Sequence, residues 1–243
     1  MRGLGTFINC FGVLVGGALG LCLRKGLDGR YRSSLITVCG LSTLFLGIAG
    51  TLEEMLAIKG GVLASHKTMM ILFSLVPGAI TGEALNIEKH IEEFGHWVKL
   101  RSGSGNDACF VDGFVSTSLT ICIGAMAVVG SIEDGLNGDF STLAAKAVLD
   151  LIIVLVLTSS LGKGCIFAVI PLGLFQGSVT LLAGVIGPLL TAEAVSNLSL
   201  VGSMLIFCVG VNLMFDKKIR VANLLPSLLF AVGCAFIPLK ILK

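Results

Sequence analysis

Apolar residues run along this chain in long windows separated by short polar breaks, and eight windows are long enough to cross a bilayer. They cover residues 5–23, 34–51, 68–85, 114–131, 144–161, 167–191, 198–215 and 222–241. Each holds roughly the 17–25 residues that a hydrocarbon core about 30 Å thick requires. The pattern predicts an all-α fold, a polytopic transmembrane helical bundle. Two windows carry helix breakers. Pro77, Gly78 and Gly82 interrupt the third, and Pro171, Gly173, Gly177 and Pro188 interrupt the sixth. The sixth reads as a broken or re-entrant helix.

One segment outside the windows has a period of its own. In NIEKHIEEFGHWVKLR, residues 86–101, Ile87, Ile91, Phe94 and Val98 share one helical face, with Glu88, Lys89, Glu92, Glu93 and Lys99 opposite. It predicts an amphipathic helix at the cytoplasmic membrane surface. The run RSGSGND, with Asn106, then makes a linker. Residues 1–105 and 106–197 form two membrane units on this reading, and 198–243 holds two further spans.

Composition sharpens the membrane assignment. Of 243 residues, 55% are hydrophobic and 13% charged, against about 25% charged in soluble domains. The mean hydropathy is +0.98. A net charge of +2 offers no basic face for nucleic acid. Gly12, Gly16 and Gly20 form a G-x-x-x-G ladder, a close-contact face for another helix of this chain or of a second copy in a homo-oligomer. The eight cysteines form no C-x-x-C pair and read as packing residues. The apolar run at the N-terminus lacks a cleavage site and reads as a span, not a leader.

Loop charges set the expected orientation. Arg24, Lys25, Arg30, Arg32, Lys89, Lys99, Arg101, Lys163, Lys217, Lys218 and Arg220 fall on one side, eleven in all. Arg2, Lys59, Lys67, Lys146, Lys240 and Lys243, six in all, fall on the other. The positive-inside rule makes the first side cytoplasmic, with both termini outside a cell inner (plasma) membrane.

Two parts of the chain share a pattern. GLDGRY at 26–31 matches GLNGDF at 135–140, and TGEAL at 81–85 matches TAEAV at 191–195. With three spans per unit, a duplication would be inverted, a 3+3 repeat with sites near the midplane.

Candidate chemistry is sparse. Asp150 stands in AKAVLDLIIVLVLTSS, about 9 Å inside one end of a span at 1.5 Å rise per residue. An ionised group there costs several kcal/mol unless paired or wetted, and such residues mark ion or substrate paths. The bland alternative is a local pair with Lys146, four residues earlier, whose ammonium snorkels to the interface. Glu83 and Glu193 occupy matching repeat positions, either as gating groups or as interfacial carboxylates. Gln176 offers an amide inside the broken sixth window. Asn9 and Asn212 sit in the first and seventh spans, where interhelical bonding is the simpler role. Asp112 reads as a helix cap, with Ser116, Thr117, Ser118 and Thr120 behind it. No H-E-x-x-H, Walker or G-x-S-x-G motif occurs, so neither a metal, a cofactor nor a catalytic set is expected.

SLTICIGAMAVVGSIEDGLNGD, LAAKAVLDL, SSLGKG and IPLGLFQGSVTLLAG, together with GGALGLCLRKGL and NLLPSLL, resemble the signature of the YdfK/YqgA-type family. These are bacterial and archaeal inner-membrane proteins classed as a domain of unknown function. The resemblance covers nearly the whole chain. It implies a polytopic membrane protein and transfers no site residue. The expectation from the residues is a secondary transporter or permease of a small solute or ion, open to coupling by protons or Na⁺ and working by alternating access. An ion channel and a non-transporting membrane scaffold or sensor are the rivals.

Overall fold

A computed structural model describes residues 2–24, 26, 28–59, 62–105, 107–215 and 219–237. Lys25, Asn106, Lys217, Lys218, Lys240 and Lys243 of the sequence reading lie outside these residues. The described chain is a helical bundle. Its elements are α1 (Leu4–Arg24), α2 (Gly29–Met55), a two-stranded hairpin of β1 (Leu56–Lys59) and β2 (Val62–Ser65), α3 (Thr68–Leu85) and α4 (Ile87–Arg101). There follow α5 (Phe110–Cys122), α6 (Ala125–Asn137), α7 (Ser141–Leu161), α8 (Gly164–Phe167), α9 (Val169–Leu181), α10 (Ala183–Ile186), α11 (Ala192–Phe215) and α12 (Pro226–Cys234). Short 3₁₀ turns, Gly187–Leu189 and Val221–Leu224, precede α11 and α12.

Among the described residues, six helical segments are long and apolar enough to cross a membrane: α1, α2, α3, α7, α8–α9 and α11. The bent pair α5–α6 makes a seventh. The last expected window is present as a shorter apolar element, Val221–Cys234. Large apolar side chains cover the outward faces, with Phe7, Phe11, Leu174, Leu181 and Leu229 among the most exposed. In water such a surface would drive aggregation; in lipid it is solvated.

Glycines set the packing. Gly12, Gly16 and Gly20 of α1 lie against the backbone of Ala147, Leu151 and Leu155 of α7, in the same order, so the two helices run parallel. A Cβ on Gly12 would come within 2.9 Å of the Ala147 carbonyl oxygen. The glycine ladder is thus filled from within the chain, which answers the question of which helix it meets. Gly40, Gly47 and Gly50 of α2 meet Met214, Phe207 and Ser203 of α11 in reverse order, so those helices are antiparallel. Gly78 and Gly82 of α3 likewise meet Ser227 and Asn223. These directions gather the C-terminal ends of α1, α3, α7 and α11 at one end, with Arg24, Lys89, Lys99, Arg101, Lys163 and Arg220. This is called the basic end below.

The sharpest interruption falls elsewhere than expected. α3 runs unbroken through Pro77, and the Thr81 hydroxyl donates to the Pro77 carbonyl at 2.7 Å. It ends at Asn86, whose φ of 50° suits an Asn more than most side chains. The sharp break lies in the fourth window. Ile123 is extended, and Gly124 adopts φ 146°, ψ 146°, which only glycine takes without strain. The chain bends there by 61°. The sixth window is one span in short pieces, offset at Ala168 and Leu182.

The packing does not confirm the inverted repeat. The two GL-x-G segments both link helices, but TGEAL closes α3 whereas TAEAV opens α11. The boundary at 197/198 also falls inside α11. A two-fold relating the two units would copy the α1–α7 contact as one between α2 and α5–α6. α2 packs instead mainly on α11.

Candidate functional site

The break between α5 and α6 creates a need inside the membrane. The last carbonyls of α5 have no helical partner, and no water surrounds them. Lys146 on α7 meets one of them. Its ammonium donates to the Ile121 carbonyl at 2.8 Å and to Asp150 Oδ2 at 2.5 Å. Lys146 therefore does not snorkel to the surface; it turns inward and is 7% exposed. It leaves the loop count of basic residues, which becomes eleven against five and strengthens the asymmetry.

Two amides complete the cluster. Asn9 of α1 donates through Nδ2 to Asp150 Oδ2 at 3.0 Å and to Gln176 Oε1 of α9 at 3.3 Å. Asn9 and Gln176 are fully buried, and Asp150 is 3% exposed. Two elements, α1 and α7, thus meet the carboxylate directly, and α5 and α9 join the cluster through Lys146 and Asn9. Breaking such a pair from one side costs about 3–5 kcal/mol, so the arrangement is stable only as a set. Two atoms stay outside it. Asn9 Oδ1, an acceptor, and Gln176 Nε2, a donor, have no partner among the described residues. Each unsatisfied group costs about 1–3 kcal/mol. The centre carries zero net charge and offers one free acceptor and one free donor. An apolar cluster of Val13, Ile121, Val154, Ala168 and Leu172 adjoins it.

The other sequence candidates lie apart from this centre. Glu83 is on the exposed rim of α3 and pairs with Arg220 at 3.0 Å. Glu193 is half-buried in the first turn of α11, at the opposite end from the basic loops. Asn212 ties down the exit from α11: its amide donates to the Ile219 carbonyl and its oxygen accepts from the Ile219 N–H, both at 2.8 Å. Asp112 opens α5 and lines a cavity of about 270 Å³ near the basic end with Glu88, Glu92 and Asn212. Burial holds the Glu88 carboxyl above its ordinary pKa, partly offset by the Ala222 N–H it accepts.

Sequence reading missed three features. The first is the inward role of Lys146, for which Gly124 in CIGAM was the available signal. The second is Asp134, fully buried, whose carboxylate accepts from the N–H groups of Gly3 and Gly5 and so caps α1 from α6. The third is an apolar cavity of about 770 Å³ reaching from His90 and Phe94 on α4 past Cys122 to Leu190. At the end opposite the basic loops, Lys67 donates to the Ser196 hydroxyl, which donates to Glu54, linking α3, α11 and α2. Among the described residues no group of three His, Cys, Asp or Glu side chains could hold a metal ion.

A bundle of lipid-facing helices around a paired, hydrogen-bonded acid is an integral membrane protein. The chain matches the family described as protein of unknown function DUF554 over residues 4–236 and belongs to it. It is 29% identical over 233 residues to the uncharacterized membrane protein YdfK of Bacillus subtilis (strain 168), covering 96% of each chain. It is 31% identical over 237 residues to the uncharacterized protein YqgA of Escherichia coli (strain K12), covering 94% of each. No solved structure matches it.

Proposed function

We propose that this protein is a secondary transporter or permease that moves a small solute across the inner membrane. The observation that carries the reading is the buried Lys146–Asp150 pair, held by Asn9 and Gln176 at a helix break, with a donor and an acceptor left free. Buried ionisable groups at interrupted helices are the usual sites of such proteins. The apolar cluster beside the centre favours a gated carrier over a channel, which needs a continuous polar pore. Gly124 supplies a joint about which α5 and α6 change their angle. Glu83 and Glu193, at opposite ends, serve as rim groups on this reading.

Two experiments test it. Proteoliposomes containing the full chain, incubated with a pooled extract of small cell metabolites, should accumulate at least one solute beyond empty liposomes. Asp150→Asn should abolish that accumulation; wild-type uptake by this variant would remove the acid from the mechanism. For orientation, Lys163→Cys should resist an impermeant thiol reagent in intact cells, and Asp139→Cys should react. The reverse result would invert the topology, which otherwise has both termini outside.

A further inference from the structure

We propose that Asp150 exchanges protons, and not metal cations, with the end of the molecule opposite the basic loops, along the seam between α1 and α9. The inference rests on the transporter reading and names its coupling ion and the side from which that ion enters.

The layers above and below the centre carry the argument. α1 and α7 run toward the basic end, and α9 runs away from it. One turn toward the basic end from Asn9, Asp150 and Gln176 stand Val13, Val154 and Leu172. All three are buried, in one apolar cluster with Ile121 and Ala168. This layer excludes water on that side. One turn the other way stand Thr6, Lys146 and Thr180. The hydroxyl oxygens of Thr6 and Thr180 are buried and have no partner among the described residues, like Asn9 Oδ1 and Gln176 Nε2. Four unpartnered polar atoms therefore lie on one seam, between the acid and one end of the protein. On the sealed side the two helices touch: Gly173 of α9 lies against Cys10 of α1, where a Cβ would come 3.3 Å from its sulfur. The far end of the seam meets α6, where Gly135 abuts the Thr180 carbonyl and Asp134 caps α1.

The chemistry of the centre selects the ion. Asp150 Oδ2 already accepts from Lys146 and Asn9. A metal cation on that oxygen would sit beside the Lys146 ammonium and be repelled, and among the described residues no group of three His, Cys, Asp or Glu side chains could hold one. A proton needs one lone pair. In the resting pair, ammonium and carboxylate sum to zero. One proton arriving from water through the seam adds to the Asp150 carboxylate, giving an ammonium and a carboxylic acid with net charge +1. Its release restores the pair. The other titratable group facing the acid and its lysine is Cys122 on α5, which Cys10 of α1 faces in turn; α9 presents the uncharged Gln176.

The test uses the full chain in proteoliposomes loaded with a pH-sensitive dye, under an imposed membrane potential, with and without the metabolite pool. Wild type should acidify the lumen faster than empty liposomes, at the same rate when choline replaces Na⁺. Thr6→Val with Thr180→Val should slow proton entry at least tenfold with an unchanged melting temperature. Val13→Thr with Val154→Thr, nearly isosteric, should open the seal and raise proton leak severalfold without solute. Na⁺-dependent rates, wild-type rates in the double valine variant, or no proton movement above empty liposomes would each overturn the proposal. Solute uptake without proton movement would overturn it while leaving the transporter reading; loss of both would remove both.

Discussion

Asp150 and Glu83 are both acids in apolar helices, four residues and three residues from the nearest charged or amide side chain in sequence, yet their surroundings have nothing in common. Asp150 is met from α1 and α7 and tied through Asn9 to α9, with its counter-ion 2.5 Å away and nearly as buried as itself. Glu83 meets Arg220 at 3.0 Å with both side chains more than half exposed. A carboxylate at the rim is solvated whichever way it turns, so its ion pair adds little. A carboxylate inside is stabilised only by what the fold brings to it. The comparison teaches that an acid's place in an apolar window says less than whether another element has a broken backbone at the same depth.

The largest expected effect breaks the inner pair from one side. Asp150→Leu leaves the Lys146 ammonium uncompensated and should cost about 3–5 kcal/mol, read as thermal unfolding in detergent. Lys146→Met with Asp150→Leu should recover much of that loss while solute uptake stays absent. Equal instability of the single and double variants would show that pairing is not what stabilises the site. Next in size is the α1–α7 ladder. Gly16→Leu drives a side chain into the Leu151 backbone and should cost about 1–3 kcal/mol or prevent assembly. Gly177→Ala, which meets open space, is the matched control and should leave the melting temperature unchanged.

At the rim, Glu83→Gln should leave both stability and uptake within error. A large loss in either would make the rim pair the equal of the inner one. The smallest effect is a pH slope from Glu88. Its folded pKa is raised by burial, so its contribution to stability is full below the ordinary glutamate range, about 4.3, and is lost as pH rises through the raised folded value. Melting temperatures should fall slightly across that window, and Glu88→Gln should flatten the fall. An unchanged slope in the variant would assign it to another group.

Much of the bundle was legible because lipid imposes one rule. A span must be long, apolar and helical, so the windows at α1, α2, α3, α7 and α11 could be read from letters. Asp150, Asn9 and Gln176 stood out for the same reason: a polar group there needs a partner. Which partner was not legible. Asn9 and Asp150 are 141 residues apart, and local periodicity holds no information about such a distance. Lys146 was misread because a lysine near a span end ordinarily snorkels; only the carbonyl freed at Gly124 turns it inward. Pro77 was overread because a helix in lipid keeps its remaining hydrogen bonds when one is lost. Glu83 and Glu193 were matched on five letters that fall at opposite ends of helices.

The parallel pairing of α1 with α7 also sets a timetable for making the protein. α1 is synthesised first, and its Asn9 enters the bilayer with no acceptor to reach. Asp150 follows 141 residues later, which at about 5–20 residues per second is a delay of roughly 7–28 s, and Gln176 later still. Through that interval the glycine ladder of α1 faces lipid or the insertion machinery, while α2 and α3 also wait for α11 and α12, the helices they mainly pack on. A chain truncated before α7 should therefore be held by the insertion apparatus or degraded, even though its first three spans are apolar enough to insert alone.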